Sequence, residues 1–414
     1  MSAGHVFRSL TRGASRATGI VRDDGFRALA QRIARRAYER LDAASLLDAL
    51  LDDDVMDSSN LQLPVPDARP RQGVPLRIGW VTTPPAPGSG GHTTLFRMVQ
   101  SLEDAGHECR IYLYDRYGGD HLAHERVVRQ WWPDLRAQVL DAREGIADLD
   151  ACVATAWDSA HVLARRGEGP MRRLYFIQDF EPYFYGRGAM YALAEDTYRF
   201  GYRNIALGRM VAGLLRSEIG IDPDETSYGC DTSIYHVLDG RQRRGVVAFV
   251  RPEVARRGFW LVRLALQRFH RMHPDVPIHT YGAVVDGLDF PAIQHGKLTP
   301  AELNELYNSC VAGLTLSFTN ISLVAEEMLA AGVIPVVNDS TLARADLAND
   351  HVRWVQPTPQ ALAEGLSAIV SEPRAADVSA AASASVHSVG WTRAQADVRR
   401  IIEDEVYGPS HGEG

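Results

Sequence analysis

The sequence predicts an α/β fold built from two successive domains. Short apolar runs alternate with amphipathic helical segments from residue 76 to residue 337, and this pattern stops and restarts once, around the polar and basic residues 238–245. Alternation of this kind is typical of parallel sheets covered by helices. The length of 414 residues, of which 45% are hydrophobic and 23% charged, is enough for two domains with separate cores.

Composition argues against several classes of function. A net charge of -8 disfavours nucleic acid as the main partner. No apolar run approaches the roughly 20 residues that a membrane span needs, and the amino terminus lacks the apolar core of a signal peptide, so we expect a cytoplasmic location. The four cysteines are scattered without CxxC spacing, which indicates neither a disulfide frame nor a zinc site.

The amino-terminal segment predicts an additional helical element. Residues 1–40 contain nine arginines against three acidic residues, with apolar residues at helical spacing. One interpretation is contact with an anionic membrane surface, and the other is a helix packed on the body of the protein with its arginines in water. Residues 61–75 are rich in Pro, Arg and Gly and predict a linker. Asp52 and Asp54 form a DxD, but no strand precedes them and we expect a solvated face.

The stretch from Gly313 to Asp339 predicts a complete strand, turn, helix and strand. We expect the first strand at 314–316, a polar turn at 317–322, a helix that begins near Ser322, and a buried strand at 335–337. A helix amino terminus at the carboxyl end of a parallel strand is a ready anion site. The stretch therefore predicts the binding of a phosphorylated ligand.

Three arginines support the same prediction. Arg251, Arg256 and Arg257 lie between a predicted strand at 246–250 and a predicted helix at 259–270. Arginines at such a junction are costly to leave unpaired, and they fit a diphosphate better than a single carboxylate. Lys297, in a later loop, is either a further phosphate or base contact or a solvated lysine.

The first domain contains a glycine loop. A predicted strand at 76–82 leads into PPAPGSGGHTT and then into a helix predicted at 95–105. Gly90, Gly91 and His92 lie in this loop, which is either a plain tight turn or a place where a substrate approaches the backbone closely.

Two other strand ends of this domain carry polar and aromatic residues. Gln178, Asp179 and Glu181 follow a predicted strand at 174–178, among five aromatic residues, and Trp157 follows a predicted strand at 150–155. Exposed carboxylates beside aromatic rings suit hydroxyl-rich ligands such as sugars, whereas the alternative is an acidic loop that caps the next helix.

These motifs resemble those of a known enzyme family. The stretch 313–339 resembles the signature of glycosyltransferase family 4, with Glu327 at the position of the second signature glutamate and Thr319 at that of the first. Residues 175–182, 249–252 and 317–320 look more narrowly like the rhamnosyltransferases of the WsaF type, and the similarity extends over roughly residues 75–410.

The resemblance implies a GT-B fold, in which two Rossmann-like domains face a central cleft. It divides the chain into a basic helical segment and linker at 1–72, an acceptor domain at 73–237, a nucleotide-sugar donor domain at 238–388, and a carboxy-terminal helix at 389–414 that crosses back to the first domain. It further implies a dTDP-sugar donor, usually dTDP-L-rhamnose, a glycan or lipid-linked glycan acceptor, retention of anomeric configuration, no metal and no cofactor.

The resemblance and the residue chemistry together assign three candidate sites. The expected catalytic residues are Asp179, Glu181 and Glu327. The expected donor-binding residues are Arg251, Arg257, Lys297, Thr319, Asn320, Ile321, Ser322 and Glu327. The expected acceptor- or sugar-binding residues are Gly90, Gly91, His92, Trp157, Gln178 and Asp179.

Two alternatives remain open at this stage. A metal-dependent GT-A transferase would use Asp179 and Glu181 in place of its DxD motif. A catalytically inactive nucleotide-sugar or glycan-binding protein would be consistent with Thr319 in place of the signature glutamate.

Overall fold

The computed structural model describes residues 50–320, 323–372, 375–386 and 390–408, with the backbone alone for residues 375 and 376. The chain divides into two compact units, residues 1–53 and residues 54–414, and everything below concerns the second unit. The predicted basic helix at 1–40 lies outside the described residues. Within the described ranges no helix is long and apolar enough to cross a membrane.

A seven-stranded parallel sheet forms the first half of this unit, with strand order β3-β2-β1-β4-β5-β6-β7. Its strands are β1 (Arg77–Thr82), β2 (Glu108–Leu113), β3 (Gln138–Asp141), β4 (Ala151–Ala154), β5 (Arg172–Ile177), β6 (Arg203–Leu207) and β7 (Asp224–Thr226). The intervening helices are α1 (Gly90–Asp104), α2 (His121–Trp131), α3 (Trp157–Arg166), α4 (Ala189–Asp196) and α5 (Arg209–Leu214).

A six-stranded parallel sheet follows, with strand order β10-β9-β8-β11-β12-β13. Its strands are β8 (Gly245–Phe249), β9 (Ile278–Tyr281), β10 (Ile293–Gln294), β11 (Cys310–Leu314), β12 (Ile334–Asn338) and β13 (Arg353–Val355). The accompanying helices are α6 (Phe259–Met272), α7 (Pro300–Asn308), α8 (Leu323–Ala330), α9 (Thr341–Asp346), α10 (Pro359–Val370) and α11 (Ala375–Ala384).

Each sheet has its own apolar core, because its strands are buried on both faces. The last helix, α12 (Thr392–Tyr407), packs in the core of the first sheet, where Trp391, Val398 and Ile402 are buried beside Trp80 and Phe176. The two interleaved parallel sheets confirm the predicted α/β architecture of two Rossmann-like halves.

The two connections between the halves touch each other. A Cβ on Gly229 would lie 2.4 Å from the carbonyl oxygen of Gly390 and 2.9 Å from Cα of Trp391. The connection that leaves the first half and the connection that returns to it therefore cross at a point where only glycine fits.

Several element boundaries differ from the prediction. Helix α1 begins at Gly90 and not at Leu95, so Gly90, Gly91 and His92 form its first turn and are not a loop. Strand β11 ends at Leu314, so residues 315 and 316, which were predicted in the strand, belong to the loop that follows it. Helix α7 begins with a capping box, in which Thr299 N donates to Glu302 Oε2 at 2.8 Å and Glu302 N donates to Thr299 Oγ1 at 3.4 Å.

The prediction of a solvated Asp54 is wrong. This carboxylate is buried, receives two hydrogen bonds from Arg166 at 2.7 and 3.0 Å, and accepts a third from the Tyr114 hydroxyl at 2.6 Å. These three hydrogen bonds hold the start of the second unit against the first sheet. Removing one partner would leave a buried carboxylate incompletely paired, which is strongly destabilising.

Candidate active site

Two loops from opposite halves of the molecule meet where their strands end. The loop after β5 contributes Gln178 and Asp179, and the loop after β11 contributes Thr319 and Asn320. The Thr319 hydroxyl donates to Asp179 Oδ2 at 2.8 Å, and the Asn320 backbone N–H donates to Asp179 Oδ1 at 3.3 Å. Asn320 Nδ2 donates to the Gln178 carbonyl at 3.0 Å and to the Tyr228 hydroxyl at 3.2 Å. The carboxyl ends of the two sheets are therefore joined by hydrogen bonds at a carboxylate.

Arg256 of the second half completes this contact. Its guanidinium lies 4.0 Å from the ring centroid of Phe184, and its Nε is 3.6 Å from Asp179 Oδ2. That Nε atom is buried and has no hydrogen-bond partner among the described residues. The Arg256 side chain as a whole is 30% exposed, so its guanidinium is accessible, and a cation placed here favours an anionic ligand.

Arg257 holds the shape of the loop after β11. Its Nη1 donates to Ser317 Oγ at 2.8 Å, and the Ser317 hydroxyl in turn donates to the Asn320 carbonyl. The Asn338 side chain binds the start of the loop by two hydrogen bonds. Its Oδ1 accepts from Ser317 N at 2.8 Å, and its Nδ2 donates to the Ser317 carbonyl at 2.7 Å. The loop is thus fixed by side chains before any ligand is bound.

Gly258 allows Arg257 and the loop to approach each other. It has φ of +62°, and a Cβ at this position would lie 2.8 Å from Cε2 of Phe318. Both the left-handed backbone and the close contact require glycine here.

Burial and neighbouring charges shift the pKa values of this cluster. Burial raises the pKa of Asp179, against the opposing effects of Arg256, the Thr319 hydrogen bond and Arg257. Burial, followed by repulsion from Arg256, lowers the pKa of Arg257 to about 10. The direction of the Asp179 shift agrees with its burial, since this residue is only 5% exposed.

Arg251 and Lys297 lie at the edge of the cluster. Arg251 is exposed enough to form a surface ion pair with Glu253, and Lys297 is exposed and lowers the pKa of Glu253 together with Arg251. Of the three arginines at this junction, Arg256 and Arg257 contact the cluster, whereas Arg251 pairs with Glu253. That Arg251 binds the donor stays a prediction.

The Glu327 side chain is half-buried on α8, and its carboxylate forms no hydrogen bond with any residue that the structure describes. Burial, followed by repulsion from Asp231 and Glu326, raises the pKa of Glu327 to about 8 against the opposing charge of Arg97. A carboxylate without a hydrogen-bonding partner in a partly accessible place can accept hydrogen bonds from a ligand hydroxyl.

Glu181 and Trp157 do not face the contact as predicted. Glu181 is buried, where it accepts hydrogen bonds from the Trp157 backbone N–H and from the Tyr175 hydroxyl, the latter at 2.9 Å. Burial, followed by repulsion from Asp158, raises the pKa of Glu181 to about 8. The Trp157 indole is 3% exposed and donates to the Tyr185 hydroxyl at 3.1 Å. Glu181 therefore caps the amino terminus of α3, a helix that precedes it in the chain, and not the next helix as the alternative proposed. The prediction that this carboxylate and the Trp157 indole are exposed is wrong.

The first turn of α1 lies beside Gln178. Gln178 Nε2 donates to the Gly91 carbonyl at 3.2 Å, and Gly90 and Gly91 are exposed. His92 is only partly accessible: Ser89 Oγ lies 2.8 Å from its Nδ1, and the Thr83 carbonyl lies 3.0 Å from its Nε2. Burial lowers the pKa of His92, which favours a neutral imidazole that orders the helix start.

The structure therefore brings together Gln178, Asp179, Thr319, Asn320 and Arg257, with Gly91 adjacent. Ile321 and Ser322 lie outside the described residues. Arg256 was one of three arginines expected to suit a diphosphate, but it was not included in the assigned donor site. Its position in the sequence, in the same junction as Arg257, was the signal that could have indicated it.

Each half of the molecule matches a known protein domain. Residues 85–209 match the family model of the WsaF N-terminal domain, and residues 244–367 match that of the WsaF C-terminal domain, together more than half of the chain. The chain belongs to the WsaF family. The O-antigen biosynthesis protein RfbC of Myxococcus xanthus is 30% identical to this chain over 282 residues, which are 64% of this chain and 22% of that protein. The chain thus spans about a fifth of the length of this curated relative.

Solved structures share the fold of this WsaF-family chain. HepE from Anabaena, in complex with UDP and glucose, has a TM-score of 0.60 at 13% identity, with 80% of this chain and 98% of that chain covered. TarM from S. aureus has a TM-score of 0.63 at 8% identity, with 80% and 100% covered. A glycosyltransferase from Rickettsia africae has a TM-score of 0.58 at 12% identity, with 81% and 100% covered.

These likenesses confirm the predicted GT-B fold, and the alternative of a GT-A transferase is wrong in its fold. Family membership is consistent with the broader prediction of a glycosyltransferase.

Proposed function

We propose that this protein transfers L-rhamnose from dTDP-L-rhamnose to a glycan or lipid-linked glycan of a cell-surface polysaccharide. The contact between Asp179 and the loop of Thr319 and Asn320, lined by Arg256 and Arg257, is the observation that supports this proposal best. Cations and N–H donors from the second half already surround an anionic group there. Their arrangement suits a nucleotide diphosphate, and the relative named for O-antigen biosynthesis supports a polysaccharide acceptor.

In the proposed donor complex, Arg256 and Arg257 bind the diphosphate together with N–H groups of the loop that follows β11. Arg251 and Lys297 contribute from the edge of the cluster. Glu327 accepts a hydrogen bond from the pentose hydroxyl, because its carboxylate has no partner among the described residues. A deoxyribose offers one hydroxyl fewer than ribose, so Glu327 alone does not select dTDP over UDP.

The acceptor belongs to the first half in this proposal. Gly90, Gly91 and Gln178 present backbone and amide groups at the start of α1, next to the Asp179 contact. Asp179 is positioned to orient hydroxyl groups of the sugar or of the acceptor, because it lies between the two halves. Glu181 stabilises the amino terminus of α3 and has no direct part in the transfer.

The proposed chemistry depends on charge that develops in the transition state. Glycosyl transfer passes through an oxocarbenium-like state while negative charge grows on the leaving diphosphate. Arg256 and Arg257 stabilise that charge more strongly as it grows, which lowers the barrier to transfer. Retention of configuration and independence from metals and cofactors belong to the proposal.

A thermal-shift panel of dTDP-, UDP- and GDP-sugars tests the donor, because a ligand that binds the folded state raises the melting temperature by mass action. The proposal expects the largest shift with dTDP-L-rhamnose. A larger shift with a UDP- or GDP-sugar would contradict the dTDP assignment.

Transfer assays test the reaction itself. With a glycan acceptor, NMR of the product should show the anomeric configuration of the donor, and turnover should survive EDTA. Binding of the donor without transfer or hydrolysis above background, across a range of acceptors, would instead support a nucleotide-sugar-binding protein.

A further inference from the structure

An aromatic ring of the first half lies against an arginine of the second half at the contact between them. The guanidinium carbon of Arg256 is 4.0 Å from the ring centroid of Phe184. The Nε atom of the same arginine is buried and lies 3.6 Å from Asp179 Oδ2. A ring and a carboxylate of the first half therefore restrain a cation of the second half.

The two terminal nitrogens of Arg256 remain accessible. Neither Nη atom donates a hydrogen bond to any residue that the structure describes. Nε is one of the buried polar atoms without a partner in the described part of the chain, but neither Nη atom is among them. The 30% exposure of the side chain therefore belongs to other atoms than Nε. The inner part of the guanidinium is held, while its outer N–H groups are available to a ligand.

The turn that carries the ring is anchored by buried groups. Phe184 is the last residue of the short turn Glu181–Phe184. The buried Glu181 carboxylate accepts a hydrogen bond from the Trp157 backbone N–H, and the Glu181 N–H donates to the Tyr198 hydroxyl at 3.1 Å. These contacts fix the turn within the first half, so its ring has a defined position before any donor binds.

We propose that Phe184 is a positioning residue, which holds the guanidinium of Arg256 with its N–H groups toward the diphosphate of the donor. This role rests on the proposed binding of the diphosphate by Arg256. An aromatic ring takes up the face of a guanidinium, whereas a phosphate accepts hydrogen bonds from the N–H groups in its plane. The ring and a phosphate can therefore contact Arg256 together. Asp179 differs, because its negative charge competes with the phosphate for the same cation.

This role gives the acceptor half of the molecule a part in donor binding. A long side chain that is ordered only when a ligand binds loses rotamer freedom, and that loss weakens the affinity. With Phe184 in place, Arg256 is already ordered in the empty protein. Without the ring, the cost of ordering this arginine would be added to the binding of each donor molecule.

The test is the Kd for dTDP, measured by calorimetry with the full chain. Phe184→Leu removes the ring but keeps an apolar side chain, and should raise the Kd by about two- to tenfold. Phe184→Tyr keeps the ring and should retain the wild-type Kd. Tyr183→Leu is a matched control, because this ring lies on the same turn and packs on Phe180 with centroids 4.8 Å apart, and no described contact joins it to Arg256. Its Kd should be unchanged.

A double-variant cycle distinguishes positioning from general support of the fold. If Phe184 acts through Arg256, then Phe184→Leu should not raise the Kd further once Arg256→Met is present. An equal increase in both backgrounds would show that the ring supports the structure without positioning the arginine. An increase in Phe184→Tyr as large as that in Phe184→Leu would show that the ring face is not the group that matters. Either result would overturn the inference.

The remaining outcomes separate this role from the proposed function. If the wild-type protein does not bind dTDP, or if Arg256→Met binds it equally well, the proposed donor site is wrong and the role of Phe184 falls with it. If Arg256→Met weakens binding but a folded Phe184→Leu keeps the wild-type Kd, the donor site stands and the role of Phe184 is wrong. Melting temperatures report folding, and Phe184→Met, which also lacks a ring, replaces Phe184→Leu should that variant be unstable.

Discussion

Replacing Arg256 by methionine should weaken donor binding while leaving the fold intact. Methionine keeps an apolar side chain against the Phe184 ring, on which the guanidinium now lies at 4.0 Å, but removes the cation. A hydrogen bond between an arginine and a phosphate contributes about 1.5 to 3 kcal/mol, which corresponds to an increase of about ten- to 150-fold in the Kd for dTDP. The ion pair with Asp179 at 3.6 Å is lost as well.

Calorimetry of dTDP binding and the kcat/KM for transfer are the two assays for Arg256→Met. If the charge on Arg256 assists departure of the diphosphate, kcat/KM should fall at least as much as the affinity does. Arg268→Met is a matched control, because Arg268 donates to the Leu264 carbonyl of its own helix at 3.3 Å and no described contact links it to the cluster. An unchanged Kd for dTDP in Arg256→Met, with a folded protein, would refute the placement of the diphosphate at this cluster.

Three more predictions follow from the site and its surroundings. Asp179→Asn should reduce kcat, because the carboxylate is proposed to orient hydroxyl groups. It should not reduce the affinity for dTDP, because the carboxylate competes with the diphosphate for Arg256. Steady-state kinetics and calorimetry separate the two effects, and a loss of dTDP affinity would contradict the proposed role of Asp179. Glu181 has a folded-state pKa of about 8, above its unfolded value, so its contribution to stability is present at low pH and is lost between about pH 4 and pH 8. The melting temperature of Glu181→Gln should therefore decline less over this range than that of the wild type. An equal decline in the two proteins would contradict the raised pKa of Glu181. Gly258→Ala should lower the free energy of unfolding in urea by more than Gly240→Ala does. Both glycines have positive φ, but at Gly258 the added Cβ would also lie 2.8 Å from Phe318. Equal losses in the two variants would show that the loop moves to relieve this contact.

The order of strands and helices could be predicted because it depends on local pattern. Apolar runs predicted the buried strands, and the capping box at Thr299 is formed by residues three apart in the sequence. The start of α1 could not be predicted as well. Glycines are poor helix formers, yet Gly90 and Gly91 are tolerated in the first turn, where backbone N–H groups have no helical partner in any case.

Burial of acidic residues was the main feature that the sequence did not predict. Asp54 is paired with Arg166 across 112 positions, and Glu181 receives a hydrogen bond from Trp157 across 24. Contacts between distant segments decide whether a carboxylate is exposed, and a single sequence does not record them. The different surroundings of Arg251, Arg256 and Arg257 could not be predicted for a related reason, since they depend on which arginine faces Asp179 of the other half.

The return of α12 to the first sheet means that the second half is inserted into the first along the chain. Trp391, Val398, Ile401 and Ile402 complete a core whose other members lie almost entirely before residue 210. During synthesis the second half can therefore fold as soon as its own strands have emerged, whereas the first half must wait for the last helix with part of its core uncovered. A ribosome that stalls before residue 390 would present a folded second half beside a first half whose core is still open to chaperones and proteases.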